Sequence, residues 1–347
     1  MSRIVICGVQ TLYVRGGVEV LVDSLAEALR LRDHQVDVVN LPYVDQPRTQ
    51  ILQTFLAWRM LNLRKIHGRS VDMVIPTKWP SYAVSHPNKV VWLVHQHRQA
   101  YELYRTVYSD MHARPDGWLF AKLVRWLDAW ALGEAKRLCS ISRNTADRLW
   151  RYNRLEATPV YPPPPLAGRI RPGEYGDYLL APGRFEPIKR VDLMVRAMAS
   201  VQSPLKLLLA GDGLERARLE KLAADLNLTD RVKFLGRVSD QELLDLYAGC
   251  LGVVYPPFDE DYGYVTVEAF LARKPVVSVT DAGGVLEFLQ DGVNGFVAQP
   301  NARALGDAID RLWDARARAS ELGANGYERV KDITWDKVAA ALTGAGS

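Results

Sequence analysis

From Leu251 to Phe270 the chain reads Leu-Gly-Val-Val-Tyr-Pro-Pro-Phe-Asp-Glu-Asp-Tyr-Gly-Tyr-Val-Thr-Val-Glu-Ala-Phe. The first five residues are an apolar run, which predicts a buried strand. The closing residues open a helix that reaches about Ala272. Glu260 therefore lies on the loop leaving a strand, and Glu268 lies in the first turns of the next helix. In parallel α/β sheets, ligands bind at the carboxyl ends of the strands. Helix starts there attract anions, phosphate above all. A carboxylate in that place accepts hydrogen bonds from hydroxyls instead, such as those of a sugar or ribose. Gly263 between the two lets the backbone bend or approach a ligand. Taken alone, the pattern equally fits an acidic loop before a helix, so the flanking sequence has to decide.

Working outward, strand and helix alternate at a steady pace. Tyr178–Ala181, Leu205–Ala210, Val232–Leu235 and Pro275–Val279 read as strands. Val191–Val201, Leu214–Leu226, Asp240–Ala248 and Val285–Gln290 read as helices. This predicts an α/β, doubly wound parallel sheet. Glycine turns stand at the strand ends: Gly183-Arg184, Gly211-Asp212-Gly213, Gly236-Arg237 and Gly283-Gly284. Arg184 and Lys189 sit on one such loop, where two cations can neutralise a phosphate leaving group. Gly283-Gly284 before a helix offers backbone N–H groups to an anion. Each feature alone also fits a plain turn or a surface charge; their recurrence at successive strand ends points to a site.

The first half follows the same plan less clearly. Arg3–Gly8 and Gln35–Asn40 read as strands around a helix opened by Gly16-Gly17. Gly8, Gly16 and Gly17 do not fit the dinucleotide pattern G-x-G-x-x-G. Lys89–Val94 reads as a strand ending in His95-Gln96-His97-Arg98. Two histidines at i and i+2 on a strand point to opposite faces and make a poor metal pair. Residues 48–66 and 113–135 are amphipathic stretches mixing Trp58, Trp118, Trp126 and Trp130 with Arg59, Arg64, Lys65, Lys122 and Arg125. Such mixtures occur in interfacial helices and, more simply, in cores.

A chain of 347 residues exceeds one ordinary core and suggests two domains. The proline run Pro162–Pro165 is a stiff extended connector. It places the boundary between domains over 1–165 and 166–332, with a terminal helix over 333–347. No run of 18 apolar residues occurs, which predicts no membrane span. The start leads straight into a strand and does not read as a signal peptide. Cys7, Cys139 and Cys250 stand singly in apolar surroundings, as reduced core residues of a cytoplasmic protein do. Residues 1–170 carry 23 Lys and Arg against 14 Asp and Glu; residues 171–347 carry 21 against 26. The basic first half favours anionic partners, membrane phospholipid among them.

In order along the chain stand Gly16-Gly17-Val-Glu19, Gly183-Arg184-(x4)-Lys189, Gly211-Asp-Gly213, Phe234-Leu-Gly236, Glu260-(x7)-Glu268, Asp281-Ala-Gly-Gly284-(x2)-Glu287 and Thr334-Trp335-Asp336. Together they resemble the retaining glycosyltransferases of family 4, and the resemblance covers nearly the whole chain. It departs at Arg190, where a glycine often follows the lysine. The resemblance implies the GT-B fold, two facing Rossmann-like domains with the active site between them, and a helix after Trp335 crossing back to the first domain. It implies a nucleotide-diphosphate sugar as donor substrate, no cofactor, and a glycan or lipid-linked acceptor. Arg184 and Lys189 would hold the diphosphate, Glu268 the ribose, and Glu260 the transferred sugar. His95 matches the first-domain histidine near the sugar, with His97 its rival. Gly16, Gly17, Gly183, Gly211, Gly213, Gly263, Tyr264, Val265, Gly283 and Gly284 would line the substrates. The implied chemistry is retention without a metal, although Asp259-Glu-Asp261 is formally the Asp-x-Asp motif of the other glycosyltransferase fold. The alternatives are another GT-B enzyme, an epimerase or phosphorylase, or a silent sugar-nucleotide-binding protein. Relatives of this kind act on lipid-linked acceptors, so a peripheral position on the cytoplasmic face of the membrane is expected. Trp58, Arg59, Arg64, Lys65, Trp118 and Lys122 would make the contact. No nucleic-acid partner is expected.

Overall fold

The computed structural model of the protein describes residues 1–11, 16–44 and 47–344. In chain order its elements are β1 (Arg3–Thr11), α1 (Gly17–Arg30), β2 (Gln35–Tyr43), α2 (Thr49–Met60), β3 (Lys65–Ile66), β4 (Arg69–Ser70), β5 (Met73–Pro76), β6 (Val90–Leu93), α3 (Gly117–Gly133), β7 (Arg137–Ser140), α4 (Arg143–Asn153) and β8 (Thr158–Pro159). There follow β9 (Tyr178–Pro182), α5 (Val191–Met198), β10 (Lys206–Ala210), α6 (Arg216–Asp225), β11 (Val232–Gly236), α7 (Asp240–Gly249), β12 (Gly252–Val254), α8 (Tyr264–Leu271), β13 (Val276–Val279), β14 (Gly295–Ala298), α9 (Ala302–Asp314), α10 (Ala319–Val330) and α11 (Trp335–Thr343). The chain divides into two compact units, Met1–Pro165 with Thr334–Ser347, and Leu166–Ile333.

The second unit is built on six parallel strands in the order β11-β10-β9-β12-β13-β14. Numbered from β9 this is the order 3-2-1-4-5-6, whose reversal point falls between β9 and β12. Leu179, Leu180, Val253, Val254, Val276 and Val277 are fully buried. Such unbroken apolar runs are what a sheet covered on both faces requires. The helix α7 starts on a reciprocal cap: Ser239 accepts from the Glu242 N–H, and Glu242 accepts from the Ser239 N–H at 2.7 Å. The expected helix over Val285–Gln290 is only a 3-10 turn over Gly284–Glu287. Buried Asn294 donates to the Phe288 carbonyl at 2.9 Å and accepts from the Gln290 N–H at 2.8 Å. The groups a continuing helix would use are therefore taken, and the chain turns into β14.

The first unit holds two parallel three-stranded ladders, β2-β1-β5 and β6-β7-β8, joined by a parallel bridge between Val74 and Lys89. Helix α11 belongs to this unit. Thr334 caps it by accepting from the Lys337 N–H, Trp335 meets Trp92 edge-on at 6.3 Å, and Arg137 donates to the Ala341 carbonyl at 2.6 Å. The amphipathic stretch 48–66 is helical only to Met60, after which β3 and β4 form a small hairpin. Trp58, expected at the surface, is fully buried in the core beside Phe55 and Tyr82. Among the described residues, no helix is long and apolar enough to cross a membrane.

A carboxyl lies at the centre of that core. Asp128 on α3 is fully buried and accepts from the Tyr101 hydroxyl at 2.5 Å. Burial pushes it up to about 8, against the opposing pull of the Tyr101 and Tyr82 hydroxyls. It is thus protonated in the folded protein at neutral pH and ionised in the unfolded chain. The folded state binds the extra proton, so its contribution to stability is complete below about pH 4 and is lost as pH rises to about 8. His97, pushed by burial down to about 4, acts oppositely, losing stability as pH falls below its usual range. Asp128→Asn keeps the shape and removes the proton linkage. The unfolding free energy of the unaltered protein should fall relative to that of Asp128→Asn between pH 5 and 8, by roughly 1.4 kcal/mol per pH unit at most, and its melting temperature should fall with it. Parallel melting curves across that range would show that Asp128 does not carry the proton.

Candidate functional site

The loops leaving β9 and β12 meet at the reversal point of the second sheet. After β9, Gly183 adopts a φ of 139°. A Cβ on Gly211 would lie 1.8 Å from the Gly183 carbonyl oxygen, and one on Gly213 would lie 2.5 Å from the Phe185 carbonyl oxygen. Only glycine lets the β9 and β10 loops pack backbone on backbone in this way. Arg184 is exposed at the tip and pairs with Glu186 at 2.7 Å.

Lys189 closes the 3-10 turn Pro187–Lys189. Its ammonium donates to Glu260 Oε2 at 2.6 Å and to the Tyr255 hydroxyl at 3.1 Å. Burial alone would push this lysine down; the Glu260 carboxylate and the Tyr255 oxygen outweigh it and hold it above the usual lysine range. The lysine is therefore a permanent cation at the switch point. Arg190, standing where a glycine is usual, is left-handed at φ 51°. That conformation costs a side-chain-bearing residue about 1–2 kcal/mol. Its guanidinium makes a two-pronged pair with Asp281 at 2.7 and 2.8 Å and lies 4.9 Å over the Phe258 ring. One side chain thus ties the loops after β9, β12 and β13 together.

Glu260 is fixed through its backbone as well. Its N–H donates to the Ala282 carbonyl at 3.1 Å, and its carbonyl accepts from the Gly284 N–H at 2.7 Å. Cβ atoms on Gly283 and Gly284 would lie 2.7 and 2.6 Å from the Asp259–Asp261 backbone. The glycine pair therefore seats one loop on the other, and the Gly284 N–H expected to face an anion is already engaged by Glu260. Gly263, left-handed at φ 84°, starts α8, with Tyr264 and Val265 its first residues. On the next turn Glu268 accepts from the Tyr247 hydroxyl at 2.7 Å. Burial pushes the Glu268 carboxyl up, and the Tyr247 hydroxyl pulls it partly back.

In the first unit, Gly16 caps α1 and its N–H donates to Glu19 Oε2 at 2.9 Å; Gly17 is the first residue of the helix. Lys78 reaches the other Glu19 oxygen at 3.4 Å. Burial pushes Glu19 up, but Lys78 and the Gly16 N–H outweigh it and hold it low. His95 and His97 differ in setting. His97 Nδ1 meets the Tyr43 hydroxyl at 3.2 Å, and its ring packs against Trp79. His95 is half-buried, with Nδ1 2.7 Å from the Gln96 carbonyl.

Sequence reasoning named Lys189, Glu260 and Glu268 but not Tyr255, Tyr247, Lys78 or the Arg190–Asp281 pair. The tyrosines sit within apolar runs that read as core. Their polar partners come from other strands and helices, so no local spacing announces them.

This site on this sheet defines a class, and two family matches name it. The family described as Glycosyl transferases group 1 matches residues 170–329, and Glycosyltransferase Family 4 matches residues 15–163. The chain belongs to the group 1 glycosyltransferases, and its fold is GT-B: α/β, with two Rossmann-like units. An uncharacterized glycosyltransferase of Methanocaldococcus jannaschii is 34% identical over 165 residues, 47% of this chain and 46% of that protein. A D-inositol 3-phosphate glycosyltransferase of Frankia alni is 34% identical over 196 residues, 52% of this chain and 48% of that one. The chain thus spans about half the length of the curated relatives it matches. Sucrose-phosphate synthase from Thermosynechococcus elongatus superposes with a TM-score of 0.76 at 22% identity, over 99% of this chain and 98% of that chain. Anabaena HepE in complex with UDP-glucose superposes with a TM-score of 0.71 at 16% identity, over 98% of each. At these identities the likeness speaks for the fold alone.

Proposed function

We propose that this protein transfers a sugar, with retention and without a metal, from a nucleotide-diphosphate donor to a hydroxyl of a glycan or lipid-linked acceptor. The observation that carries the reading is the Lys189–Glu260 pair at the β9/β12 switch point, with Glu268 on the helix that follows. Lys189 is a cation where a leaving diphosphate gathers charge. Arg184, on the exposed tip of the same loop, exchanges Glu186 for a second diphosphate oxygen. Glu268 accepts from the ribose hydroxyls through the oxygen that Tyr247 leaves free, and Glu260 accepts from hydroxyls of the sugar. The acceptor oxygen attacks C1 on the face the diphosphate leaves. The C1–O bond to phosphorus breaks as the new C1–O bond forms, and the acceptor proton passes to a diphosphate oxygen. Fixed cations stabilise the departing charge, as oriented donors do elsewhere.

The test is product analysis with a panel of sugar nucleotides. Nucleoside diphosphate release should persist in excess chelator, and the transferred sugar should keep the donor's anomeric configuration by NMR. Loss of release on chelation, restored by manganese or magnesium, would transfer the charge-stabilising role to a cation held by Asp259 and Asp261. An inverted product would remove the same-face mechanism. The working location we propose is peripheral, on the cytoplasmic face of a membrane, where lipid-linked acceptors are found.

A further inference from the structure

We infer that the outer face of α2 and α3, with the β3–β4 hairpin, is the surface by which the first unit docks on an anionic lipid bilayer. This rests on the peripheral location proposed above and names the element that makes the contact. Helix α3 departs from an ordinary surface helix in carrying its largest apolar side chains outward. Its inward positions are Gly117, Ala121, Val124, Asp128, Ala131 and Leu132, so only Val124 and Leu132 are large apolar residues on that side. Its outward positions carry Trp118, Leu123, Trp126 and Trp130, exposed by 55, 38, 64 and 41%. Charge belongs on that side of a solvated helix. Trp126 and Trp130 stack with ring centres 6.3 Å apart and planes 17° from parallel, so the indoles form one continuous patch.

Helix α2 extends the patch. Phe55 meets Trp130 at 6.3 Å, and the Arg59 guanidinium covers the Trp130 ring at 4.2 Å. Beyond them Leu56 and Met60 are exposed by 57 and 84%. Contiguous apolar surface of this kind marks a contact with a partner or a membrane. Tryptophan combines an apolar body with one N–H, which suits the headgroup boundary.

Charge decides between a bilayer and a second copy of the chain. The hairpin that continues from α2 carries Arg64, Lys65, His67 and Arg69, all exposed, and none forms an ion pair with the described residues. The acids beside the patch are already satisfied: Asp116 pairs with Arg48, and Glu134 with Arg59 and Lys89. What remains is an apolar face bordered by a hairpin with an excess of positive charge, Asp37 being an acid that lines the same cleft as His67 and Arg69. A symmetric dimer through this face would bring like charges together. Anionic headgroups around inserted indoles match both halves of the pattern.

The full chain is tested by cosedimentation with phosphatidylcholine vesicles, with and without phosphatidylglycerol. Brominated acyl chains report indole depth. The chain should bind the phosphatidylglycerol vesicles, less so at high salt, with quenched tryptophan emission. The exposed pair Trp118→Ser/Trp126→Ser should weaken binding about tenfold or more, and Arg64→Ser/Lys65→Ser/Arg69→Ser should remove most of its salt dependence. Binding by the unaltered chain that neither set of substitutions changes would overturn this surface while leaving the peripheral location standing. Absence of any binding at low salt would overturn both. A dimer in sedimentation velocity that Trp118→Ser/Trp126→Ser dissociates, without vesicle binding, would give the face to a second copy and overturn the inference.

Discussion

Lys189→Ala is expected to lower turnover by about 10²-fold or more, the usual loss when one oriented charge-stabilising donor is removed. The ammonium is held by Glu260 at 2.6 Å and Tyr255 at 3.1 Å, so it is aimed before any donor arrives. Pairing with Glu260 adds a second consequence. A diphosphate has to share or displace the carboxylate that the lysine already holds. Glu260→Gln therefore leaves the lysine freer, and nucleoside diphosphate should bind as well as before or more tightly while sugar transfer falls. Steady-state rates with calorimetry of nucleoside diphosphate binding separate the two effects. Removing one member of a partly buried ion pair also destabilises the fold, so melting temperatures accompany the rates, and the double variant completes the cycle. Near-normal turnover in Lys189→Ala would move the diphosphate elsewhere. Weaker nucleoside diphosphate binding in Glu260→Gln would mean that Glu260 helps hold the nucleotide.

Tyr247→Phe is expected to weaken nucleoside diphosphate binding although Tyr247 lies under the site and not in it. Its hydroxyl is the donor to Glu268 Oε2, and it lowers a carboxyl that burial pushes up. Without it Glu268 loses an orienting bond, worth roughly 1–3 kcal/mol when a buried acceptor is left unpaired. The carboxyl also titrates higher. The acid limb of nucleoside diphosphate affinity should therefore move toward higher pH in Tyr247→Phe, whereas a packing defect alone would shift stability and leave that limb in place. Glu268→Gln, which cannot ionise, should bind the nucleotide weakly and without the acid limb. Calorimetry across pH decides it. A Tyr247→Phe limb superposing on that of the unaltered protein would make the hydroxyl a structural contact only.

The fold was more legible than the site, for reasons that lie in particular residues. Strand ends were readable because Gly183, Gly211 and Gly213 sit where two loops touch through their backbones, a need that leaves a mark in sequence. Lys189 and Glu260 were readable as residue types, but their pairing spans 71 positions and depends on the β9/β12 adjacency. Arg190 read as a departure from pattern; only its bonds to Asp281 explain how the loop keeps its shape without glycine. The helical stretches misled in part because large aromatics are expected inside. That holds for Trp58 on α2. On α3 the inward positions are taken by Gly117, Ala121, Val124, Asp128, Ala131 and Leu132, and the indoles of Trp118, Trp126 and Trp130 are turned out. Helix Val285–Gln290 failed for a local reason, the claim of Asn294 on the same backbone groups.

Helix α11 has a consequence for how the molecule is made. The first unit comprises Met1–Pro165 and Thr334–Ser347, and Trp335 and Ala341 lie against Trp92 and Arg137. On the ribosome, the segment that finishes this unit emerges only after all of Leu166–Ile333 has been synthesised. For that interval the surface around Trp92 waits for its cover, while the second unit already has every strand of its sheet. Vectorial synthesis therefore lets the later unit close first, and α11, made after it, seals the earlier one.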